Sequence, residues 1–373
     1  MKQKQDFTAL GLMSGTSMDG IDVALVHTNG TDKVTWETGR TYPYPETLTA
    51  ELFRLLQEPE RARREPLTHL EEAVTDAHRD AVTLYFSETG WKPSTIDIIG
   101  FHGQTVLHRP KERFTRQLGN GQRLADDLRI PVVAQFRQAD VASGGEGAPL
   151  VPVFHQALAS HMENPTVVLN LGGVANITYI DGETLLAFDT GPAGALVDDY
   201  MRQHFGLSFD ENGQLAAQGT EQTNLIHNFL ADVFFSEKPP KSLDRNNFHK
   251  WYKTIEHLSP ADAIATLTAY TVESIIISQT HMPKVPRQWL ITGGGRKNRY
   301  IIDCLKKRLK KTVLLVENVG WDGDFLEAQA FAYLAVRHII NLPLSFPQTT
   351  NVPVPMCGGI LYHPSLSRTL SSS

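Results

Sequence analysis

The stretch Leu10–Val26, LGLMSGTSMDGIDVALV, decides how the rest of the chain is read. Apolar runs on either side of Ser14, Gly15, Thr16, Ser17 and Gly20 predict a strand, a tight polar turn and a second strand. Glycines let backbone come close to a ligand, and the hydroxyls and free N–H groups of such a turn suit phosphate oxygens. A single hairpin of this kind is usually only a turn. This one has two counterparts. Thr166–Ile180, TVVLNLGGVANITYI, turns at Gly172 and Gly173 with Asn170 and Asn176 beside them. Gln288–Asn298, QWLITGGGRKN, breaks a buried strand at Gly293, Gly294 and Gly295 before a helix. Two hairpins from opposite halves can grip a polyphosphate from both sides. The third turn can lay backbone against a purine while its helix N-terminus faces the phosphates. Neither Walker A nor Rossmann spacing occurs, so the three turns together point to a different nucleotide clamp.

Bulk composition agrees with a soluble enzyme. At 373 residues the chain exceeds most single cores, which predicts two domains. A net charge of -6 argues against a nucleic-acid partner, and the basic run Lys306–Lys311 reads as a solvated helix face. No apolar stretch is long enough to span a bilayer, and Met1–Phe7 lacks the apolar core of a signal peptide. Cys304 and Cys357 make no disulfide framework or metal-ligand spacing, so a cytoplasmic protein without membrane contact is expected.

Periodicity predicts a strand over Lys33–Thr41 and amphipathic helices over Pro45–Leu56 and Leu67–Thr89. A short strand, Ile96–Phe101, should run into a loop at His102, Gln104 and Thr105, followed by a turn and helix over Gly119–Leu128. The Gly- and Pro-rich segment Phe136–Pro152 reads as a crossing between domains, placing them at 1–135 with 345–373 and at 136–344. In the second, a strand over Thr184–Phe188 ends at Asp189 before a helix over Ala195–His204. Further helices are expected over Pro260–Gln279 and Asp324–Ile340, with a strand over Val313–Glu317.

Several segments carry a specific resemblance. They are GTSMDGID (15–22), HGQT (102–105), FRQAD (136–140) with GAPL (147–150), and NLGG (170–173) with Asn176. FDTGP (188–192), TGGG (292–295) with Asn298, and EAQAFA (327–332) complete the set. Together they resemble the anhydro-N-acetylmuramic acid kinase family, within the actin/Hsp70/hexokinase superfamily. The resemblance implies an α/β, two-domain, ribonuclease H-like fold with an interdomain ATP cleft. It implies ATP, delivered as MgATP, and a small sugar substrate. The implied reaction uses water to open the 1,6-anhydro ring and transfers phosphate to O6, giving N-acetylmuramic acid 6-phosphate in peptidoglycan recycling. Glycoside hydrolysis commonly uses two carboxyl groups, one to activate water and one to protonate the leaving oxygen. If O6 instead attacks the γ-phosphoryl group, phosphorus replaces that proton and one base suffices.

By resemblance Asp189 is the base, against the alternative that Asp189 and Thr190 merely cap the following helix. The resemblance also implies that Glu327 lies at the active site, through metal or water, and the spacing predicts that Asp324, one turn earlier, shares its helix face. Gly15, Thr16, Ser17, Met18, Asp19, Gly20, Ile21 and Asp22 fall to the nucleotide, with Asn170, Gly172, Gly173, Gly293, Gly294, Gly295 and Asn298. His102, Gln104, Thr105, Arg137 and Asp140 fall to the sugar, Arg137 facing its carboxylate, unless Arg137 and Asp140 simply pair with each other. Leu12 and Met13 stand where superfamily members often carry Asp, which leaves the metal ligands open among Asp19, Asp22, Asp189 and Glu327. Ala193 and Gly194 stand where the family commonly has Gly-Asn. The competing readings are an ordinary hydroxyl kinase with Asp140 as base and a non-catalytic ATPase. A sugar-sensing repressor lacks room for a DNA-binding appendage before Ala9. The oligomeric state, a homodimer included, stays open.

Overall fold

The opening hairpin forms as its pattern dictates. In the computed structural model, which describes residues 6–15, 17–243 and 245–365 (the side chains of 245–247 excepted), strand β1 (Phe7–Ser14) pairs antiparallel with β2 (Ile21–Thr28). Thr16 lies outside the described residues. The remaining strands of this sheet are β3 (Val34–Trp36), β4 (Arg40–Tyr42), β5 (Ile98–Arg109), β6 (Phe114–Leu118), β7 (Val132–Ala134) and β13 (Ile360–Tyr362), in the order β13-β7-β5-β1-β2-β3. β5 joins β1 in parallel, and β7 joins β5 in parallel. The expected strand over Lys33–Thr41 is two short strands, and Gly39 between them lies against the ring of Phe325, where a Cβ would fall 2.3 Å from it.

The second sheet repeats the plan. Its strands are β8 (Thr166–Leu171), β9 (Val174–Asp181), β10 (Thr184–Pro192), β11 (Gln288–Thr292) and β12 (Thr312–Leu315), in the order β10-β9-β8-β11-β12. An antiparallel meander of three strands is again extended by two parallel strands. The connections to β11 and β12 carry helices, as parallel crossovers require. The β8–β9 turn and the β1–β2 turn are therefore the same device used twice.

The chain divides into two compact units, one running to Leu158 and resuming at Phe325, the other Ala159–Asp324. The boundaries expected at 135/136 and 344/345 are displaced because the Gly- and Pro-rich segment is held within the first unit. Asp140 there accepts from Gly147 N and from Thr350 Oγ1, both at 2.6 Å. The helix Pro152–Leu158 follows, and its Phe154 ring packs 5.4 Å from Tyr333 on the helix Leu326–Ile339.

That last helix is buried along nearly its whole length and lies directly on β1 and β5. Two glycines permit the approach: a Cβ on Gly11 would fall 1.8 Å from the Ala328 carbonyl oxygen, and one on Gly100 2.0 Å from that of Phe331. Small side chains at Ala328, Ala332 and Ala335, on the same face, complete the fit. The consequence is positional. Glu327, in the first turn of this helix, is fixed beside the C-terminal end of β1.

Candidate functional site

In the first unit, a cavity of about 340 Å3 is lined by Met13, Ser14, Gly15, His102, Thr105, His108, Arg137, Ala148 and Glu327. The sequence expected His102, Gln104 and Thr105 on a loop. They are on the second half of β5, because β6 pairs with that half and extends the strand to Arg109. Gly103, at φ 72°, interrupts the alternation there; a Cβ on it would fall 2.4 Å from the Leu118 carbonyl oxygen.

Arg137 organises the cavity. Its Nε donates to His102 Nε2 at 3.0 Å and its Nη1 to the Gly147 carbonyl at 2.7 Å, with the guanidinium over the Phe331 ring. Arg137 and Asp140 do not bond each other's side chains; Asp140 is buried and spent on Gly147 and Thr350. Burial, reinforced by the Arg137 charge, holds His102 well below the ordinary histidine range. The same two causes hold His108 at about 4, its Nε2 donating to the Glu146 carbonyl and its Nδ1 accepting from Thr115. Glu327 is open to the cavity, yet the surrounding protein pushes its carboxyl upward, with Arg137 pulling the other way. Asp324 does not share its face: the helix starts at Leu326, and Asp324 pairs with Arg296 and Lys297 in the second unit.

Gln104 has a different surrounding. It is fully buried, donates to the Gly15 carbonyl at 3.1 Å and receives Tyr44 Oη at 3.3 Å, so its amide is committed to the β1–β2 turn. Within that turn Ser17 and Asp19 are exposed, whereas the Met18 and Ile21 side chains enter the core, leaving only their backbone to a ligand. Asp22 Oδ1 accepts from Thr41 at 2.6 Å.

In the second unit Asp189 lies inside β10, not at its end. The strand bulges between Asp189 and Gly191 and continues to Pro192, so the helix Gly194–Phe205 begins beyond it with Ala193 at the cap position. Asp189 and Thr190 are therefore not helix caps. Segment 241–243 clasps Asp189: its N–H donates to the Lys241 carbonyl at 3.0 Å, and its Oδ2 accepts from Leu243 N at 2.7 Å. Lys241 is itself buried, its Nζ donating to the Phe234 carbonyl above that ring. Burial lowers it to about 8 against the opposing charges of Glu237 and Asp189.

The glycine turns of this unit meet because β8 and β11 run in parallel. Gly172 and Gly173 turn their carbonyls onto the start of helix Gly194–Phe205, accepting from Gly194 N at 2.9 Å and Ala193 N at 3.0 Å. The Ala193-Gly194 departure thus preserves the turn through backbone bonds alone. Gly293, at φ 79°, lies against Asn170 Oδ1 and Leu171 O, where a Cβ would fall 2.2 and 2.7 Å away. Arg296 braces it, bonding the Gly293 carbonyl at 3.0 Å, Glu317 at 2.7 Å and Asp324 at 2.8 Å. Asn298 caps helix Arg299–Leu309 by accepting from Ile301 N, one 3-10 turn after the glycines.

The glycines now sort into two kinds. Gly293 and Gly295 are required by packing, since a Cβ on Gly295 would fall 2.8 Å from Leu171. At Gly15, Gly172, Gly173 and Gly294 an added Cβ would meet nothing closer than 3.4 Å, and none of the four has a positive φ. Neither crowding nor conformation demands glycine there. Bare backbone facing open space suits close approach by a ligand.

No cluster of three His, Cys, Asp or Glu side chains suited to a metal occurs among the described residues. No helix among the described residues is long and apolar enough to cross a membrane. Tyr44, Lys241, Leu243 and Arg296 were not foreseen: Tyr44 and Lys241 act through contacts distant in sequence, and Leu243 through its main chain. Only Arg296, directly after three glycines, carried a local signal.

Comparison with known proteins places the chain in a family. The family model described as anhydro-N-acetylmuramic acid kinase matches residues 7–364. A protein of that name from Rhodopseudomonas palustris (strain ATCC BAA-98 / CGA009) is 47% identical over 366 residues, covering 96% of this chain and 99% of the relative. One from Paramagnetospirillum magneticum is 44% identical over 353 residues, covering 94% and 98%. Among solved structures, component A of (R)-2-hydroxyglutaryl-CoA dehydratase from Acidaminococcus fermentans aligns at a TM-score of 0.46 and 10% identity, covering 89% of this chain and 98% of that one. On the family match and the full-length relatives, the chain belongs to the anhydro-N-acetylmuramic acid kinase family.

Proposed function

We propose that the protein uses ATP and water to open the 1,6-anhydro ring of anhydro-N-acetylmuramic acid and phosphorylates O6, in cytoplasmic recycling of peptidoglycan. One observation carries the reading: the open Gly15 turn lines the same cavity as Arg137, His102 and Glu327. A phosphate-receiving turn beside a fixed cation suits an acidic sugar that is to be phosphorylated.

Each group then has a task. The bare backbones at Gly15, Gly172, Gly173 and Gly294 receive the nucleotide. Arg137, held in one orientation by His102 and Gly147, takes the substrate carboxylate, and Thr105 and His108 wall the sugar. Asp189 removes a proton from water. The water oxygen bonds to C1, the C1–O6 bond breaks, and O6 attacks the γ-phosphorus as ADP leaves. Glu327 would hold a Mg2+ ion carried with ATP, directly or through water, and the ion would offset phosphate charge. Asp140 is withdrawn from base duty by its two hydrogen bonds and burial, which weighs against the ordinary hydroxyl kinase.

The test is an ATP-dependent phosphotransfer assay on anhydro-N-acetylmuramic acid beside its ring-open form. Phosphorylation of the anhydro sugar to the ring-open 6-phosphate is expected. Use of the ring-open sugar alone would overturn the proposal.

A further inference from the structure

We infer that Tyr44 and Gln104 are positioning residues that hold the Gly15 turn in its phosphate-receiving form, an inference that rests on the proposed ATP-dependent reaction. Register brings the parts together. The parallel pairing of β1 with β5 shifts between Leu12 and Ser14, so that Ser14 comes opposite Gln104. Gln104 Nε2 then donates to the Gly15 carbonyl at 3.1 Å. Tyr44 Oη lies 2.9 Å from Ser14 Oγ and 3.3 Å from Gln104 Oε1, and Ser14 Oγ donates to the Gly103 carbonyl at 3.4 Å. Tyr44 follows β4, which pairs with β2, so the network ties together both arms of the hairpin below its turn.

All three side chains are buried: Ser14 is 1%, Tyr44 6% and Gln104 0% exposed. Burying polar groups is unfavourable unless each is bonded, and an apolar trio would fill the same space without that demand. What the polar trio adds is direction. A Gly15 carbonyl drawn inward by Gln104 presents no lone pairs to incoming phosphate oxygens. Met18 N also donates to this carbonyl, at 3.2 Å, so without Gln104 it is held by that one bond and is freer to tilt outward and set a partial negative charge against them. Gln104 therefore acts on the nucleotide through the turn and, unlike His102 and Thr105, does not line the cavity.

The experiment compares the wild type with Gln104→Met, which keeps bulk but removes the donor, and with the milder Tyr44→Phe. Calorimetry gives Kd for a non-hydrolysable ATP analogue, and steady-state kinetics give KM for ATP and for the sugar. Each variant is expected to weaken analogue binding and raise KM for ATP about ten-fold, the worth of one buried hydrogen bond, with KM for the sugar unchanged. Combined, the two changes should fall short of additive because they remove one network. If Gln104→Met does not fold, Tyr44→Phe alone decides. Variants with wild-type ATP constants, or with both KM values raised alike, would overturn the inference while the reaction stands. A wild type that binds no ATP analogue would overturn the reaction and this inference with it.

Discussion

Arg137 Nε donates to His102 Nε2 at 3.0 Å, so His102 is an acceptor, neutral, with its ring proton on Nδ1. The same guanidinium holds the Gly147 carbonyl through Nη1, which fixes its plane from two sides. Lysine has the charge but not the fork. Arg137→Lys should lower kcat/KM for the sugar by about 100-fold, since the two buried bonds that fix the guanidinium, to His102 and to Gly147, are lost. ATP analogue binding, measured by calorimetry, should be unaffected. An unchanged sugar kcat/KM would remove Arg137 from the sugar site.

Asp189 receives one bond from Leu243 N and gives one to the Lys241 carbonyl, so its carboxylate is aimed by main chain. Asp189→Asn should abolish phosphotransfer while the ATP analogue still binds. Leu243→Pro removes the aiming N–H, and kcat should fall about ten-fold or more with little change in KM, as expected for a group acting in the transition state. Full activity in Asp189→Asn would refute its role as base.

Acid should destabilise the fold. Burial holds His78 at about 4 and His155 at about 3, against about 6.5 in an unfolded chain. Between those values the unfolded chain binds more protons, so stability is complete above about pH 6.5 and is lost as pH falls towards each folded value. The loss is about 1.4 kcal/mol per pH unit for each group. Urea unfolding of wild type and His78→Gln from pH 7.5 to 4.5 should show a shallower pH slope in the variant. Equal slopes would contradict the assignment.

Gly11→Ala would put a methyl group 1.8 Å from the Ala328 carbonyl oxygen, forcing helix Leu326–Ile339 off the sheet and Glu327 with it. A cost of about 3 kcal/mol or more is expected, at the upper end of overpacking penalties. Thermal unfolding should show the loss, and activity should fall further than folded fraction alone explains. A variant as stable as wild type would mean the helix is not so close.

The repeated hairpin, the Gly172–Gly173 turn and the long helices were legible because period and glycine punctuation are local. What escaped depends on pairing. The His102–Thr105 segment reads as loop until β6 pairs with it, and Asp189 reads as a strand end until the bulge carries β10 to Pro192. The domain boundary moved for the same reason, because Thr350 reaches Asp140 across more than half the chain. The bond from Gln104 to the Gly15 carbonyl likewise follows from a register shift that no local pattern announces.

The central claim is that water, activated by Asp189, opens the ring as O6 takes the phosphoryl group. Turnover of the anhydro sugar with ATP in 18O-water tests it most directly, read by mass spectrometry at short times beside product incubated alone to correct for exchange. The account predicts label on the C1 oxygen and none in the phosphate. Product without label at C1, or with label in the phosphate, would contradict it.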